Sequence, residues 1–239
     1  MYNTFSNIYD LVMRDTPYEH WVNFYQAVFK KFGKKPELIL DMGCGTGNIT
    51  TKLADAGYDM IGLDASVGML SRAREKNSEI LYLNMDMTDF ELYGTVDAMV
   101  SALDCINYIT EDIDKVFALV KNYLNPGGLF IFDINSPYKL RHILGNETIV
   151  CDEEDIFYVW ENELEEHFCH FDISFFIRND DGNYSRFDES QTQRIYTAEE
   201  LSEAAVKAGL SVLGVYGDFE MNPPEEASER IFFVVGKEN

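Results

Sequence analysis

The stretch Leu38-Ile-Leu-Asp-Met-Gly-Cys-Gly-Thr-Gly-Asn48 constrains this 239-residue chain more than any other. Leu38 to Leu40 reads as a buried strand that ends at Asp41. The chain then passes through Gly43, Gly45 and Gly47 and enters a helical pattern, Ile49 to Ala56. Glycines at alternate positions allow a sharp turn, and without Cβ atoms they let a ligand approach the peptide groups. The helix that follows aims its N-terminal amides and positive dipole end at the same crevice. A small molecule is therefore expected at the carboxyl end of the first strand.

Spacing narrows the ligand. A dinucleotide fingerprint reads G-x-G-x-x-G/A. Here the third glycine, Gly47, falls one residue early, and Asn48 stands where Gly or Ala is required. The carboxylate of Asp41, two residues before the first glycine, suits a ligand with a cationic or amine-bearing end. The next strand, Asp59 to Asp64, ends in an acid able to accept hydrogen bonds from both ribose hydroxyls. Asp86, at the end of a third strand, is placed to accept from an adenine amino group. Asp64 or Asp86 alone also fits a helix or turn cap; the glycine motif and these two acids, in order at strand ends, point together to a bound ligand.

Strand and helix patterns then alternate: strands 38–42, 59–63, 80–84, 96–101 and 128–133, and helices 46–57, 66–76 and 112–124. Such alternation predicts a doubly wound parallel sheet with right-handed crossovers. Two helices are expected before it, Asn3 to Arg14 and Pro17 to Phe32. Gly127-Gly128 is expected as the turn into the fifth strand. After Pro137 the period changes to two, in Phe157 to Trp160, Glu165 to Arg178 and Tyr184 to Tyr196, around a turn at Asn179-Asp-Asp-Gly-Asn183. This marks 138–196 as an antiparallel β insertion. The segments 1–137 and 197–239 form the main domain, closed by helix 198–208 and a reversed strand pair, 210–217 and 231–236.

Composition excludes several classes. Forty-two acidic against nineteen basic residues give a net charge of −23. A nucleic-acid-binding protein needs a basic face to displace counterions, and only Lys30 to Lys35 and Arg72 to Lys76 cluster. No apolar run has the length of a membrane span, and Met1-Tyr-Asn-Thr lacks a basic start before an apolar core, so a cytoplasmic chain is expected. Four scattered cysteines specify neither disulfides nor a metal site.

The motifs ILDMGCGTGNIT, IGLDAS, NMDMTDF and LNPGGLFIFDINSP resemble those of class I S-adenosylmethionine-dependent methyltransferases across residues 36–137. The N-terminal block Phe5 to Asp10 with Tyr18 to Trp21 extends the resemblance to a bacterial small-molecule subgroup similar to amino-sugar and small-amine N-methyltransferases. The resemblance implies a seven-stranded Rossmann-like sheet with the last strand antiparallel. It implies S-adenosylmethionine as cofactor, held by Tyr9, Trp21, Asp41, Gly43, Cys44, Gly45, Gly47, Asp64, Ala65, Met69, Asp86, Met87 and Leu103. Tyr9, Tyr18 and Trp21 would form a lid over it. The acceptor would meet Tyr18, Asp104, Asn107, Tyr108, Asn135, Tyr138 and Arg194.

Because a sulfonium donor arrives already activated, alignment and desolvation carry the reaction, and no catalytic residue stands out. His142, His167 and His170 are weak candidates for a base. Glu189, Gln193 and Arg194 match an E-x-H-x-Q-R-like stretch of similar proteins, but Gln191 replaces its histidine. Arg194 would hold an acceptor carboxylate or phosphate, or pair with the abundant acids. The expected reaction moves a methyl group to a small polar acceptor, N or O before C. The competing readings are an NAD-dependent oxidoreductase and a non-catalytic cofactor-binding protein. No metal, nucleic-acid or membrane partner is expected, and the edge strands of the insertion offer a surface for a homodimer.

Overall fold

The computed structural model describes residues 5–179 and 181–238. Tyr2 and the start of the expected first helix at Asn3 lie outside these residues, as does Asp180 in the expected 179–183 turn. Seven strands make one sheet: β1 (Leu38–Met42), β2 (Asp59–Asp64), β3 (Leu81–Asn84), β4 (Val96–Ser101), β5 (Leu124–Asn135), β10 (Ser211–Gly217) and β11 (Arg230–Gly236). Their order is β10-β11-β5-β4-β1-β2-β3. β1 to β5 pair in parallel, and β11 runs antiparallel to both β5 and β10. The doubly wound sheet with its reversed last strand is therefore present.

Helices cover both faces. Strand alternation sends Leu40, Met42, Phe130 and Phe132 to one face, where α5 (Ile113–Tyr123) and α6 (Ala198–Lys207) pack on them. Ile39, Val100, Ile131 and Phe232 point to the other, under α2 (Tyr18–Lys31) and α3 (Asn48–Asp55). The buried stripe of α2 is Trp21, Phe24, Tyr25, Val28 and Phe29, at the i, i+3, i+4, i+7, i+8 spacing of a core-facing helix. Each such burial stabilises by about 1.5–3 kcal/mol, so the stripe anchors the N-terminal region firmly. α4 (Val67–Lys76) starts at Ser66, whose hydroxyl accepts from the Met69 N–H at 3.3 Å. A reciprocal capping box between Thr197 and Glu200 starts α6.

Three local expectations are corrected. The segment before Pro17 is a 3-10 turn, Phe5–Asn7, and a single α-helical turn, α1 (Tyr9–Val12), because its apolar residues serve a different core. The Asn125-Pro-Gly-Gly128 stretch is drawn into β5. Gly127 at φ 75° donates to the Lys237 carbonyl, and Lys237 donates back to Gly128. Lys139–Leu144 winds as a π-helix after Pro137.

Between β5 and α6 the chain forms a second, four-stranded antiparallel sheet, β6 (Thr148–Asp152), β7 (Ile156–Leu164), β8 (Phe168–Arg178) and β9 (Tyr184–Arg194). β6, not expected from the sequence, pairs with β7 in register Thr148 with Glu161. Cys169, Phe171, Ile173 and Phe175 of β8 are buried on its inner face. Phe5, Ile8, Leu11 and Val12 pack on the same face, where the Phe5 and Phe175 rings lie 5.6 Å apart. The N-terminal segment thus bridges the two sheets.

Candidate active site

One cavity of about 1160 Å³ lies over the carboxyl ends of β1, β2 and β4, roofed by α1 and walled by the second sheet. Crevices at strand carboxyl ends are where open α/β sheets bind ligands.

Its floor is the glycine loop. Gly43 (φ 75°) and Cys44 donate their N–H groups to the Leu63 carbonyl at 2.8 and 2.9 Å, turning the chain back over β2. A Cβ on Gly43 would stand 2.7 Å from the Cys105 Sγ, so no side chain fits there. Gly47 has a different role. It caps α3 at φ 76°, and a Cβ there would meet the Tyr82 hydroxyl at 2.9 Å and Ala73 at 3.1 Å. It serves packing against α4 and β3 and does not line the cavity.

Two acids frame the loop. Asp64 accepts from Gly45 N–H at 2.9 Å and Ser66 N–H at 2.8 Å, leaving lone pairs toward the cavity. Burial raises its pKa against these two bonds. Asp41 is 1% exposed beneath the loop and accepts from the Thr50 hydroxyl at 2.6 Å. Desolvation pushes its pKa up to about 7, the Thr50 bond opposing and the nearby Asp64 reinforcing.

The roof is latched. Asp10 of α1 accepts from Thr46 Oγ1 at 2.7 Å and Asn48 Nδ2 at 3.0 Å, and pairs with Lys76 of α4 at 2.7 Å. Asn48 also donates to the Tyr18 hydroxyl at 2.9 Å. Tyr9 reaches into the cavity. Burial, with Tyr18, Cys105, Tyr108 and Asp104 close by, holds its phenol well above the ordinary pKa. It is a proton donor at neutral pH.

Behind the cavity runs a buried polar chain. Asp133 of β5, fully buried, accepts from Trp21 Nε1 at 2.7 Å and from the N–H groups of Leu103 and Asp104 at 3.1 and 3.0 Å. Leu103 and Asp104 both hold the left-handed conformation, at φ 58° and 55°. A branched and an acidic side chain keep it only because the surroundings impose it. Arg230 of β11 pairs with Asp133 and, at 3.0 Å, with Asp104 Oδ1. Asp104 Oδ2 accepts from Gln193 at 2.6 Å, and Gln193 accepts from Asn135 at 3.0 Å. Desolvation raises the pKa of Asp133 against the attraction of Arg230. That of Tyr108 is raised by desolvation of its hydroxyl first and then by Asp104.

Of the residues expected from sequence, Tyr9, Tyr18, Trp21, Asp41, Gly43, Cys44, Gly45, Asp64, Met69, Leu103, Asp104, Tyr108 and Asn135 line this cavity. Others do not. Ala65 is exposed and its carbonyl accepts from Asn84. Asp86 is exposed and caps its own turn by accepting from Thr88 N and Oγ1 at 2.7 and 2.6 Å. Met87 packs behind Gly43, on the core side. Asn107 is fully buried, donating to the Arg194 and Asn135 carbonyls and accepting from Asn135 N–H. Tyr138 lies beside His142, with ring centroids 5.3 Å apart. Arg194 donates to the Thr110 carbonyl, lies 3.7 Å from Glu200 and covers the Tyr196 ring, a structural role. Trp21, expected in the lid, is 4% exposed and edge-on to Phe219 at 4.6 Å; it belongs to the core with one edge at the cavity. None of the four histidines lines the cavity, and His170 contacts Thr192 at 2.9 Å.

Sequence reading missed Lys139, Arg230 and the rings of Tyr158, Trp160, Phe171 and Phe175, all in the lining. The alternation of β7 and β8 was visible, but nothing local says which face turns to the cavity. Arg230 sits in an apolar strand, and that anomaly was the available signal.

These residues fit S-adenosylmethionine. Its ribose diol requires an acceptor such as Asp64, its amino group a carboxylate such as Asp41, and its sulfonium an aromatic neighbour such as Tyr9. The loop carries no side chain at Gly45, where a Cβ would meet nothing within 4 Å.

Comparison with known proteins agrees. A methyltransferase-domain family model matches residues 39–128. A methyltransferase of Geobacillus sp. (strain WCH70) is 34% identical over 99% of both chains. The crystal structure of an S-adenosylmethionine-dependent methyltransferase from Clostridium acetobutylicum ATCC 824 superimposes with TM-score 0.90, at 33% identity over 98% of both chains. The dTDP-3-amino-3,6-dideoxy-alpha-D-glucopyranose N,N-dimethyltransferase of Streptomyces fradiae is 22% identical over 87% of this chain and 84% of its own. The glycine loop, the two acids and these likenesses converge: the chain belongs to the S-adenosylmethionine-dependent methyltransferases.

Proposed function

We propose that this methyltransferase transfers the methyl group to the nitrogen of a small polar acceptor. The observation that carries the reading is the placement of Asp104. Its carboxylate stands in the cavity wall next to Leu103, held by Arg230 and Gln193, with Tyr108 and Asn135 beside it. A carboxylate, an amide oxygen and a phenol oxygen offer acceptors to the N–H groups of an amine. The Streptomyces fradiae relative, named for an amino-sugar substrate, supports nitrogen as the methylated atom.

In this reading Asp64 would hold the ribose and Asp41 the amino end of the cofactor, and Tyr9 would supply the aromatic neighbour for its sulfonium. S-adenosylmethionine supplies an electrophilic methyl group when bound. The chain's part is to line the acceptor lone pair up with the carbon–sulfur axis and keep water out. Tyr9 and Tyr108 stay protonated, so they orient and do not abstract a proton. The acceptor nitrogen attacks as the neutral amine, and its proton leaves after transfer, toward Asp104 or to solvent.

The test is transfer of isotopically labelled methyl from S-adenosylmethionine to matched panels of small amines and the corresponding alcohols. Labelled product from amines, reduced in Asp104→Ala, is expected. Product from alcohols alone, or none from either panel, contradicts the reading.

A further inference from the structure

Lys139 is the one cavity-lining cation whose charge the described residues leave unpaired. Its backbone N–H is fixed by the Ser136 hydroxyl at 3.0 Å, at the first turn after β5. Its ammonium makes no hydrogen bond or ion pair with any described residue. The neighbouring cation, Arg230, is fully engaged by Asp133, Asp104 and Asn135. Burial and the charge of Arg230 push the Lys139 pKa down, while Asp104, Glu229 and Asp133 pull it up.

The cavity also lies just above the size range of single-ligand pockets. Pockets for a single drug-sized molecule measure about 300–1,000 Å³, and this one reaches about 1160 Å³. The space away from the glycine loop is walled by Trp160, Phe171 and Phe175. An acceptor that fills it strips water from Lys139. Three donors on a buried ammonium then need new acceptors, and an uncharged, apolar molecule leaves them unmet.

We infer that Lys139 forms an anion subsite, so that the acceptor carries a carboxylate or phosphate on a ring or apolar body that packs against Trp160 and Phe171. This rests on the cavity being the shared cofactor and acceptor pocket. Arg194, the arginine that the sequence offered for such an anion, is held outside by Thr110 and Glu200.

The test is calorimetric titration of the protein saturated with S-adenosylhomocysteine, using phenyl phosphate, benzoate and the neutral benzamide. At least one anion is expected to bind roughly 10- to 100-fold more tightly than benzamide, the range of a charged hydrogen bond. The difference between phenyl phosphate and benzoate identifies the anion. In Lys139→Met that gap closes while S-adenosylhomocysteine affinity and the melting temperature are kept, and Lys139→Arg restores it. A wild-type protein with no gap, or a gap that survives in Lys139→Met and Lys139→Gln, overturns the subsite. Failure of S-adenosylhomocysteine itself to bind overturns the pocket instead, so the two failures are distinct.

Discussion

Arg230 and Asp133 form an ion pair at the back of the cavity, as diagonal neighbours on adjacent antiparallel strands. Register pairs Arg230 with Asn135 and Phe232 with Asp133, which puts both side chains on one face of the sheet. From there Asp133 fixes Trp21 and the left-handed Leu103-Asp104 turn, and Arg230 fixes the Asp104 carboxylate. The pair joins the helical cover, the central sheet and the cavity wall at Asp104.

Removing Asp133 leaves Arg230 with Asp104 as its one remaining carboxylate and takes the acceptor from Trp21 Nε1 and the Leu103 and Asp104 N–H groups. Asp133→Ala is expected to lower unfolding free energy by about 3–5 kcal/mol, read from urea unfolding. Asp133→Asn, which keeps one oxygen for either the Trp21 and Leu103 N–H groups or the Asp104 N–H, is expected to lose less. Equal stability of Asp133→Ala and wild type contradicts the role given to the pair.

Much of this was legible in the chain and some was not. The strand ends at Asp41 and Asp64 and the glycine turn follow from local patterns, because apolar runs, glycines and acids at fixed offsets act within about ten residues. The second sheet showed its period of two at Phe168 to Phe176. Lys139 and the Trp160 and Phe171 wall stayed hidden, since whether a strand face meets a cavity or another layer is decided by packing between distant segments. Asn107 misled for the same reason. An amide after a strand end looks like a ligand group, and here it satisfies the backbone of β5 and β9. Gly47 fits the loop motif, yet Tyr82 and Ala73 require it.

Asp41 sets a pH dependence. Burial raises its folded-state pKa from 3.8 to about 7. A raised carboxylate pKa means that the folded protein loses stability as pH climbs from about 4 to 7, and the full cost stands above 7. Asp41→Asn removes the ionisation and keeps an acceptor for Thr50. Relative to wild type it is expected to be more stable at pH 8 than at pH 5 by about 1–3 kcal/mol, measured by urea midpoints at both values. An unchanged difference contradicts the assignment.

In the proposed site the same group also acts on cofactor binding. An amino group over Asp41 favours its ionised form, so S-adenosylmethionine affinity is expected to rise as pH goes from 5.5 to 7. It falls again above about 8, where an α-amino group loses its proton. Calorimetry across this range checks both limbs, and Asp41→Asn loses the acidic one. A flat acidic limb in the wild type contradicts the contact.

The roof latch is a partly exposed ion pair, with Asp10 and Lys76 side chains 42% and 29% exposed. Such pairs add about 0–1 kcal/mol. Asp10→Ala is therefore expected to cost little stability and to speed cofactor release by roughly 3- to 10-fold, since up to one such bond holds the lid shut. Stopped-flow displacement of bound S-adenosylhomocysteine reads the rate, and 0.5 M salt is expected to mimic the variant in part. Release at the wild-type rate contradicts the latch.

A crystal structure with S-adenosylhomocysteine tests the central claim most directly, that one cavity holds cofactor and acceptor side by side. The account requires the ribose on Asp64, the amino end toward Asp41, the sulfur under Tyr9 and open space beside Asp104 and Lys139. A ligand bound elsewhere, or one that fills the space against Trp160 and Lys139, contradicts it.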